Sequence, residues 1–432
     1  MNQDMTLSCI CLRCSHRWIS RKQNSEPRVC AKCRSPYWNT PRQRERLANV
    51  TSIEIEDPPH SELLHHVVRV EENRRRSENG KIIKVFDFFS GAGGASCGFR
   101  NAGLDIALGV DKDKDCSATF QMNFPEALFL QKNISTLTPE DIEPIINKGH
   151  GVRLFCGCAP CQPFSKQNKN RKSFDDRLNL LESFGNFVKH FIPEYVFIEN
   201  VPGLQNIHSA KKGPLGGFLA LLNDLGYYVK CDVVYSCDYG VPQRRARLVL
   251  IASTLGPVRF PKPFYGPGRT YPYRKVEDLI SGLPSLNAGE CDPADQDHCA
   301  APLSELNLAR LRATPPGGSH RDWPDELKLS CHINHDGHTD AYGRLAWQKM
   351  AGALTTKCVS LSNGRFGHPD QDRALSVREA AFLQTFPSRW KFSGTLWTKA
   401  RQVGNAVPPI LSFRFGKMIA AHYRLYGKSF KN

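Results

Sequence analysis

The chain has 432 residues, a formal net charge of +16 and 40% hydrophobic residues. That length exceeds one compact core, so two or three domains are expected, in the composition range of a soluble folded protein. No apolar run reaches the roughly 18–20 residues of a membrane helix. Cysteines interrupt the N-terminal MNQDMTLSCICLRC where a signal peptide needs continuous apolar residues. The expectation is a cytoplasmic, nucleoid-associated protein with no membrane partner. The positive charge favours a polyanionic partner but does not choose among DNA, RNA and a membrane surface.

Residues 1–40 carry Cys11, Cys14, Cys30 and Cys33 as two Cys-x-x-Cys pairs. Each pair puts two thiolates on one tight turn, and four thiolates complete a tetrahedral zinc site. So short a segment buries little surface, and bound Zn2+ would supply the stability of a zinc ribbon. Cys9 is an alternative fourth ligand. Arg13, Arg17, Arg21, Lys22, Arg28, Lys32 and Arg34 surround the site with Trp18 and Trp38. They read either as a nucleic-acid or partner contact or as the solvated surface of a structural knob. The remaining cysteines are scattered, which in a chain of this size reads as reduced thiols.

Residues 41–80 are polar and charged, with Pro58-Pro59 between RQRER and EENRRRSENG, and read as a linker. From Lys81 strands and helices alternate. IIKVFDFFS is a strand running into the Gly-rich turn GAGG, and SCGFRNAG is a helix. DIALGVD is a second strand, followed by a helical stretch near Cys116–Met122. GVRLFCG, YVFIEN, YVKCDVVY and RLVLIAS are further strands. The alternation predicts a doubly wound α/β sheet over 81–254. Residues 255–371 are rich in Pro and Gly with weak periodicity, too long for a loop, and are expected to form a small separate domain. LSVREAAFLQTF and Pro409–Tyr426 read as helices in the final segment, 372–432.

Three groups carry chemistry. A Gly-rich turn between strand and helix lets a ligand meet the backbone and the helix N-terminus. Ser96 stands at the third glycine position of the dehydrogenase fingerprint, which argues against a nicotinamide site. Asp111, at the end of the next strand, suits ribose hydroxyls. Cys161 follows a strand end in GCAPCQPFS, where it reads as a nucleophile, as an inert buried thiol, or as part of a metal cluster with Cys156 and Cys158. Glu199 closes the strand YVFIEN and is either an acid over the ligand crevice or a helix cap. Gln243, Arg244, Arg245 and Arg247 form a basic turn that would bind a phosphate or base, or only decorate a strand end.

In order, DFFSGAGG, APCQPFS, ENVPG, QRRARL, REAAFLQTFP and QVGNAVPP resemble the bacterial DNA cytosine-5 methyltransferase family over about residues 82–432. The resemblance implies a Rossmann-like sheet in which 81–254 and 372–432 form one catalytic domain and 255–371 recognises the target. It implies that the helix after GNAVPP returns beside the first Gly-rich strand. S-adenosylmethionine would contact Phe89, Gly91, Gly93 and Asp111, with Asn133 and Ile134 at the adenine and Pro160, Leu180, Asn405 and Val407 completing the pocket. The family usually has Asp at Asn133, and some relatives have an aromatic at Lys112. Cys161 would attack carbon 6 of a flipped cytosine, with Glu199, Arg245 and Arg247 holding the base and Gln162 and Ser165 supporting the loop or DNA. Double-stranded DNA is the implied substrate, bound by a monomer, with a cognate restriction endonuclease or other phage-defence proteins as partners. A tRNA cytosine-5 methyltransferase and a catalytically silent DNA-binding protein are the rival readings. Cys331, His332, His335 and His338 are candidates for a second zinc, although the family pattern favours DNA contacts or packing there.

Overall fold

A computed structural model of the chain describes residues 8–10, 17–19, 83–148, 151–160, 180–206, 213–330 and 339–427. The chain divides into two units, Met1–Glu54 and Ile55–Asn432. The described part of the first is an antiparallel pair, β1 (Ser8–Ile10) and β2 (Arg17–Ile19), with Cys9 opposite Trp18. Cys11, Cys14, Cys30 and Cys33, the expected linker 41–80 and the Cys331–His338 cluster lie outside the described residues.

In the second unit the apolar runs become one seven-stranded sheet. Its strands are β3 (Ile83–Asp87), β4 (Asp105–Val110), β5 (Leu128–Leu130), β6 (Val152–Cys156), β7 (Tyr195–Asn200), β8 (Tyr228–Tyr235) and β9 (Ala246–Ser253). The spatial order is β5-β4-β3-β6-β7-β9-β8. β3 to β7 are mutually parallel, and β9 runs antiparallel to both of its neighbours. The alternation of side chains along a strand divides the core. Val85 points into one layer with Phe99, Phe197 and Leu411, whereas Phe86 and Phe88 join Phe155, Phe184 and Phe187 in the other. Helices α1 (Gly94–Asn101), α2 (Lys114–Asn123), α3 (Pro139–Ile146), α4 (Leu180–Phe191) and α5 (Pro214–Asp224) connect the strands. The chain leaves β3 toward β4 on one side and returns to β6 on the other. This creates the topological switch point at which open α/β sheets bind ligands, beyond the carboxyl ends of the strands.

The segment 255–371, expected as a separate domain, lies within the second unit and shares its core. It contains β10 (Cys291–Asp292), β11 (Asp295–Cys299), α6 (Glu305–Arg312), β12 (Gly343–Arg344) and β13 (Arg365–Gly367). Leu345, Ala351, Leu354, Val359 and Phe366 belong to the same buried cluster as Val85 and Val249, while Leu311, Leu361 and Ala374 form a small buried cluster of their own. Cys291 and Cys299 are joined by a disulfide across the β10–β11 pair, where the sequence reading expects reduced thiols.

The last segment supplies α7 (Val377–Leu383), α8 (Leu396–Asn405) and α9 (Pro409–Tyr426). Ser376 and Glu379 start α7 with a reciprocal capping box. Helix α9 spans the residues expected from the sequence and packs on α1, which follows the Gly-rich turn. The contact requires glycine: a Cβ on Gly98 would lie 2.1 Å from both the Pro409 carbonyl oxygen and Ser412 Oγ. Gly98→Ala is therefore expected to force the helices apart and cost about 2 kcal/mol, the scale of overpacking a filled core. Urea denaturation checks this, and an unchanged midpoint would contradict it. Among the described residues no helix is long and apolar enough to cross a membrane.

Candidate active site

Beyond the carboxyl ends of β3, β6 and β7 lies a cavity of about 310 Å³, within the usual size of small-molecule sites. The β3–α1 turn forms one wall. Gly91 lies in the left-handed region (φ +50°), and a Cβ there would meet nothing within 4 Å, so its backbone borders open space. Gly91 N–H donates to Asp111 Oδ2 (2.9 Å), and Asp113 N–H donates to Oδ1 (3.0 Å). These bonds fix the carboxylate at the end of β4 and leave each oxygen a lone pair for a ligand hydroxyl. Gly94 makes room for the opposite wall, because a Cβ there would lie 2.4 Å from the Val407 carbonyl oxygen.

The other walls come from Cys158, Ala159 and Pro160 after β6, Glu199–Val201 at the end of β7, Arg245 just before β9 and Arg247 at its start, and Gln402 with Gly404–Val407 around the end of α8. Asn200 ties two of these walls together by donating Nδ2–H to the Ala159 carbonyl (3.1 Å). Glu199 is buried and ion-paired: Arg247 Nε lies 2.8 Å from Oε1, without hydrogen-bond alignment. Its backbone N–H donates to Cys158 Sγ at 3.4 Å. Arg245 is buried, with Nη1–H donating to the Leu354 carbonyl (2.9 Å) and Nη2–H to that of Gly404 (3.4 Å).

Of the residues expected at the cofactor, Phe89, Gly91, Asp111, Pro160, Leu180, Asn405 and Val407 line this cavity, together with Glu199, Arg245 and Arg247. Gly93, Asn133 and Ile134 are not among its lining residues. Gly93 is the left-handed N-cap of α1 and faces the Phe120, Phe124 and Trp390 rings. Asn133 uses Oδ1 to accept from the Ser135 N–H and hydroxyl, and Ile134 is buried in the core. Cys161, Gln162 and Ser165 lie outside the described residues, although Pro160, the chain neighbour of Cys161, is at the cavity wall. Sequence reasoning did not single out Asn200, Arg401 or Gln402. Arg401 lies at the cavity and pairs with Asp113 (2.9 Å), a partner that only the fold brings near. Among the described residues no group of three or more His, Cys, Asp or Glu side chains could hold a metal ion.

Beneath the cavity, Asp87 at the end of β3 is fully buried and accepts from Ser96 Oγ (2.7 Å). Burial pushes its carboxyl up from 3.8 to about 6, against the lowering effect of Ser96 and Cys156. With the folded value above the unfolded one, the native state holds an extra proton between about pH 4 and 6. The stability contributed by the neutral acid is complete below pH 4 and lost as pH rises through 6. Relative to Asp87→Asn, the wild type should lose on the order of 3 kcal/mol across that window and change little above pH 7. Denaturation of both proteins at several pH values checks this, and a pH-independent difference would contradict it.

A match to the C-5 cytosine-specific DNA methylase family extends over residues 83–421, most of the chain. The chain belongs to that family. The methylase is 37% identical over 343 residues to the type II methylase M.HgiDII of Herpetosiphon aurantiacus, covering 78% of this chain and 93% of the relative. It is 35% identical to the type II methyltransferase M1.HphI of Haemophilus parahaemolyticus, over 76% and 84% of the two chains. Among solved structures it resembles a prophage-encoded DNA modification methyltransferase from E. coli (TM-score 0.61, 22% identity, 78% of this chain and 98% of that one). It also resembles a Spodoptera frugiperda DNMT2 variant (TM-score 0.55, 17% identity, 78% and 99%). At these identities the two structures speak for the fold alone. The methylase is a DNA cytosine-5 methyltransferase, and family membership implies S-adenosylmethionine as its methyl donor.

Proposed function

We propose that this enzyme methylates carbon 5 of a cytosine flipped out of a specific duplex site, with Cys161 as nucleophile. The observation that supports this most strongly is the cavity at the sheet's switch point. It is bordered at one side by Gly91 and Asp111 and at another by the Glu199–Arg247 pair. The residues fit a nucleoside cofactor: Asp111 can accept from ribose hydroxyls, the Gly91 backbone permits close approach, and Phe89, Leu180 and Val407 supply apolar wall. Gly93, Asn133, Ile134, Pro160 and Asn405 complete the proposed set. Bound S-adenosylmethionine supplies an electrophilic methyl group on its sulfonium.

The protein's own task is to make carbon 5 nucleophilic. The Cys161 thiolate adds to carbon 6, and the ring's electron pair shifts toward carbon 5 and the carbonyl. Glu199, carrying a proton when the base is bound, donates it toward ring nitrogen 3 as charge develops there, and its other oxygen accepts from the exocyclic amine. Arg247 is held by Glu199 at the cavity wall and reaches the base, while Arg245 orients that wall through Leu354 and Gly404. After methylation, loss of the carbon 5 proton to a base restores the double bond and expels Cys161 as thiolate. Flipping the cytosine costs a few kcal/mol, which basic residues gripping phosphates offset.

The finer proposals concern the remainder of the chain. Residues 255–371 recognise the DNA, and Cys11, Cys14, Cys30 and Cys33 hold one structural zinc. The enzyme works in the cytoplasm at the nucleoid, as a monomer on DNA, beside a restriction endonuclease or another phage-defence system. The type II methylase names of its relatives support the restriction-modification part of this setting. The test is methyl transfer from labelled S-adenosylmethionine to unmethylated duplex DNA, with tRNA in parallel. Label recovered as 5-methylcytosine at one recurring DNA sequence is expected. Label confined to tRNA would establish the rival reading.

A further inference from the structure

A buried polar network links the segment around Leu354 to the cofactor-side loop, and of its side chains Gln243, Gln384 and Arg245 only Arg245 borders the cavity. The Leu354 N–H donates to Gln243 Oε1 (3.1 Å), and the Leu354 carbonyl accepts from Arg245 (2.9 Å). Gln243 is fully buried and turns its amide nitrogen to Gln384 Oε1 (2.6 Å) and to the Leu383 carbonyl (2.7 Å). Gln384, also fully buried, donates to the Ala406 carbonyl (2.6 Å), and Arg245 donates to that of Gly404 (3.4 Å). Two parallel routes therefore run from Leu354 to the stretch Gly404–Val407 that walls the cavity. Direct packing reinforces them, because a Cβ on Gly404 would lie 2.1 Å from the Thr355 carbonyl oxygen.

The other end of this network faces solvent. Gly352, Ala353 and Thr355 border one surface groove of about 570 Å³, and Ala351 and Gly352 border a second of about 690 Å³. Arg244, Lys275 and Lys349 line the second groove, a concentration of cations suited to a phosphate backbone. A duplex seated there would bear on residues 351–355. In a dry interior, a displaced backbone group leaves a buried amide or guanidinium without its partner, which costs more than a shared shift of both segments.

We infer that Gln243, Gln384 and Arg245 are positioning residues that couple duplex DNA binding to cofactor binding. DNA on the recognition side and S-adenosylmethionine on the catalytic side each favour the same placement of Leu354 relative to Gly404–Val407. The inference rests on the proposed function, in that it needs duplex DNA to bind the recognition segment. By linkage, each ligand must tighten the other by the same factor.

The test measures the affinity of the full chain for S-adenosylhomocysteine with and without saturating unmethylated duplex DNA. The ratio of the two affinities is the readout, because general damage to either site changes single affinities and not necessarily their ratio. The wild type should show tightening of about tenfold. Gln384→Met conserves volume but removes the donor to Ala406, and Arg245→Lys weakens the second route independently. Each should bring the ratio below about threefold, and together they should bring it near one. Circular dichroism confirms folding of each variant, and Arg245→Lys decides the matter if Gln384→Met does not fold. A wild-type ratio of one, or variants that keep the wild-type ratio, would overturn the inference alone. Failure of the wild type to bind duplex DNA would overturn the proposed function together with it.

Discussion

Cys161→Ala is expected to lower methyl transfer to duplex DNA by about 10⁴-fold or more, the scale on which removal of a covalent nucleophile acts. Carbon 5 of cytosine is a poor nucleophile until carbon 6 is saturated, and among the described residues at the cavity none is placed to supply a thiolate in its stead. A free thiol is only a few per cent ionised at neutral pH, and nearby cations raise that fraction. Arg245 and Arg247 line the cavity whose wall includes Pro160, next to Cys161 in the chain. Cys158, two residues from Pro160, is a poor substitute: its sulfur accepts from the Glu199 N–H and lies 3.6 Å from Cys156 Sγ. Burial pushes the Cys156 thiol well above its usual range, so it too stays protonated. Single-turnover transfer measures the loss, while S-adenosylhomocysteine affinity in the same variant should stay within about threefold, because the role proposed for the thiol is at the base and not at the cofactor. A variant retaining more than about a hundredth of wild-type activity would contradict the assignment.

The second large effect belongs to Glu199. Glu199→Gln keeps the shape but removes the carboxylic acid that is to give a proton to the ring nitrogen and accept from the amine, and kcat should fall by about 10²–10³-fold. Glu199→Ala should lose at least as much activity and also destabilise the fold. Arg247 Nε lies 2.8 Å from the carboxylate with both side chains largely buried, so truncation leaves a buried cation without its counter-charge. The cavity admits water to that cation, which limits the expected cost to about 1–3 kcal/mol. Kinetics and thermal denaturation separate the two roles. Full kcat in Glu199→Gln would remove Glu199 from the chemistry and leave it as a structural counter-ion.

The readable part of the fold is the part whose signals are local. β3, β6, β7 and β9 carry continuous apolar runs because both faces of the sheet are covered, and the Gly91-to-Asp111 spacing follows from one strand–helix–strand unit. Helix α9 was legible from Pro409 onward for the same reason: one long stretch with a proline at its first turn. Helix α3, which carries Pro139 and Pro144, was not among the elements expected from the sequence. Pro139 occupies the first turn, where its missing N–H costs nothing, and the capping box of Thr138 and Asp141 starts the helix.

What stayed hidden depends on pairs distant in sequence. Gln243 and Gln384 sit 141 residues apart, and each alone reads as an ordinary polar residue in a motif. Arg245 reads as part of a basic turn, and only the fold shows that it borders the cavity while its Nη1 and Nη2 donate to the Leu354 and Gly404 carbonyls. Residues 255–371 looked separate because proline and glycine break their periodicity. Periodicity reports regular elements and not which core a side chain enters: Leu354 and Phe366 enter the common one, while Leu311 and Leu361 form a small cluster of their own. The Cys291–Cys299 disulfide was missed because chain length argued for a reducing setting, whereas the β10–β11 pair brings the two Cα atoms to 4.0 Å.

The most direct test of the central claim is covalent trapping on duplex DNA that carries 5-fluorocytosine at the recognised cytosine, with S-adenosylmethionine present. Fluorine at carbon 5 cannot leave as a proton does, so the bond between the enzyme and carbon 6 should persist. The expected result is a denaturation-resistant protein–DNA complex whose modified peptide maps to Cys161 and which is absent in Cys161→Ala. Methylation of ordinary duplex DNA without any trapped complex, or a complex mapped to another residue, would contradict the account.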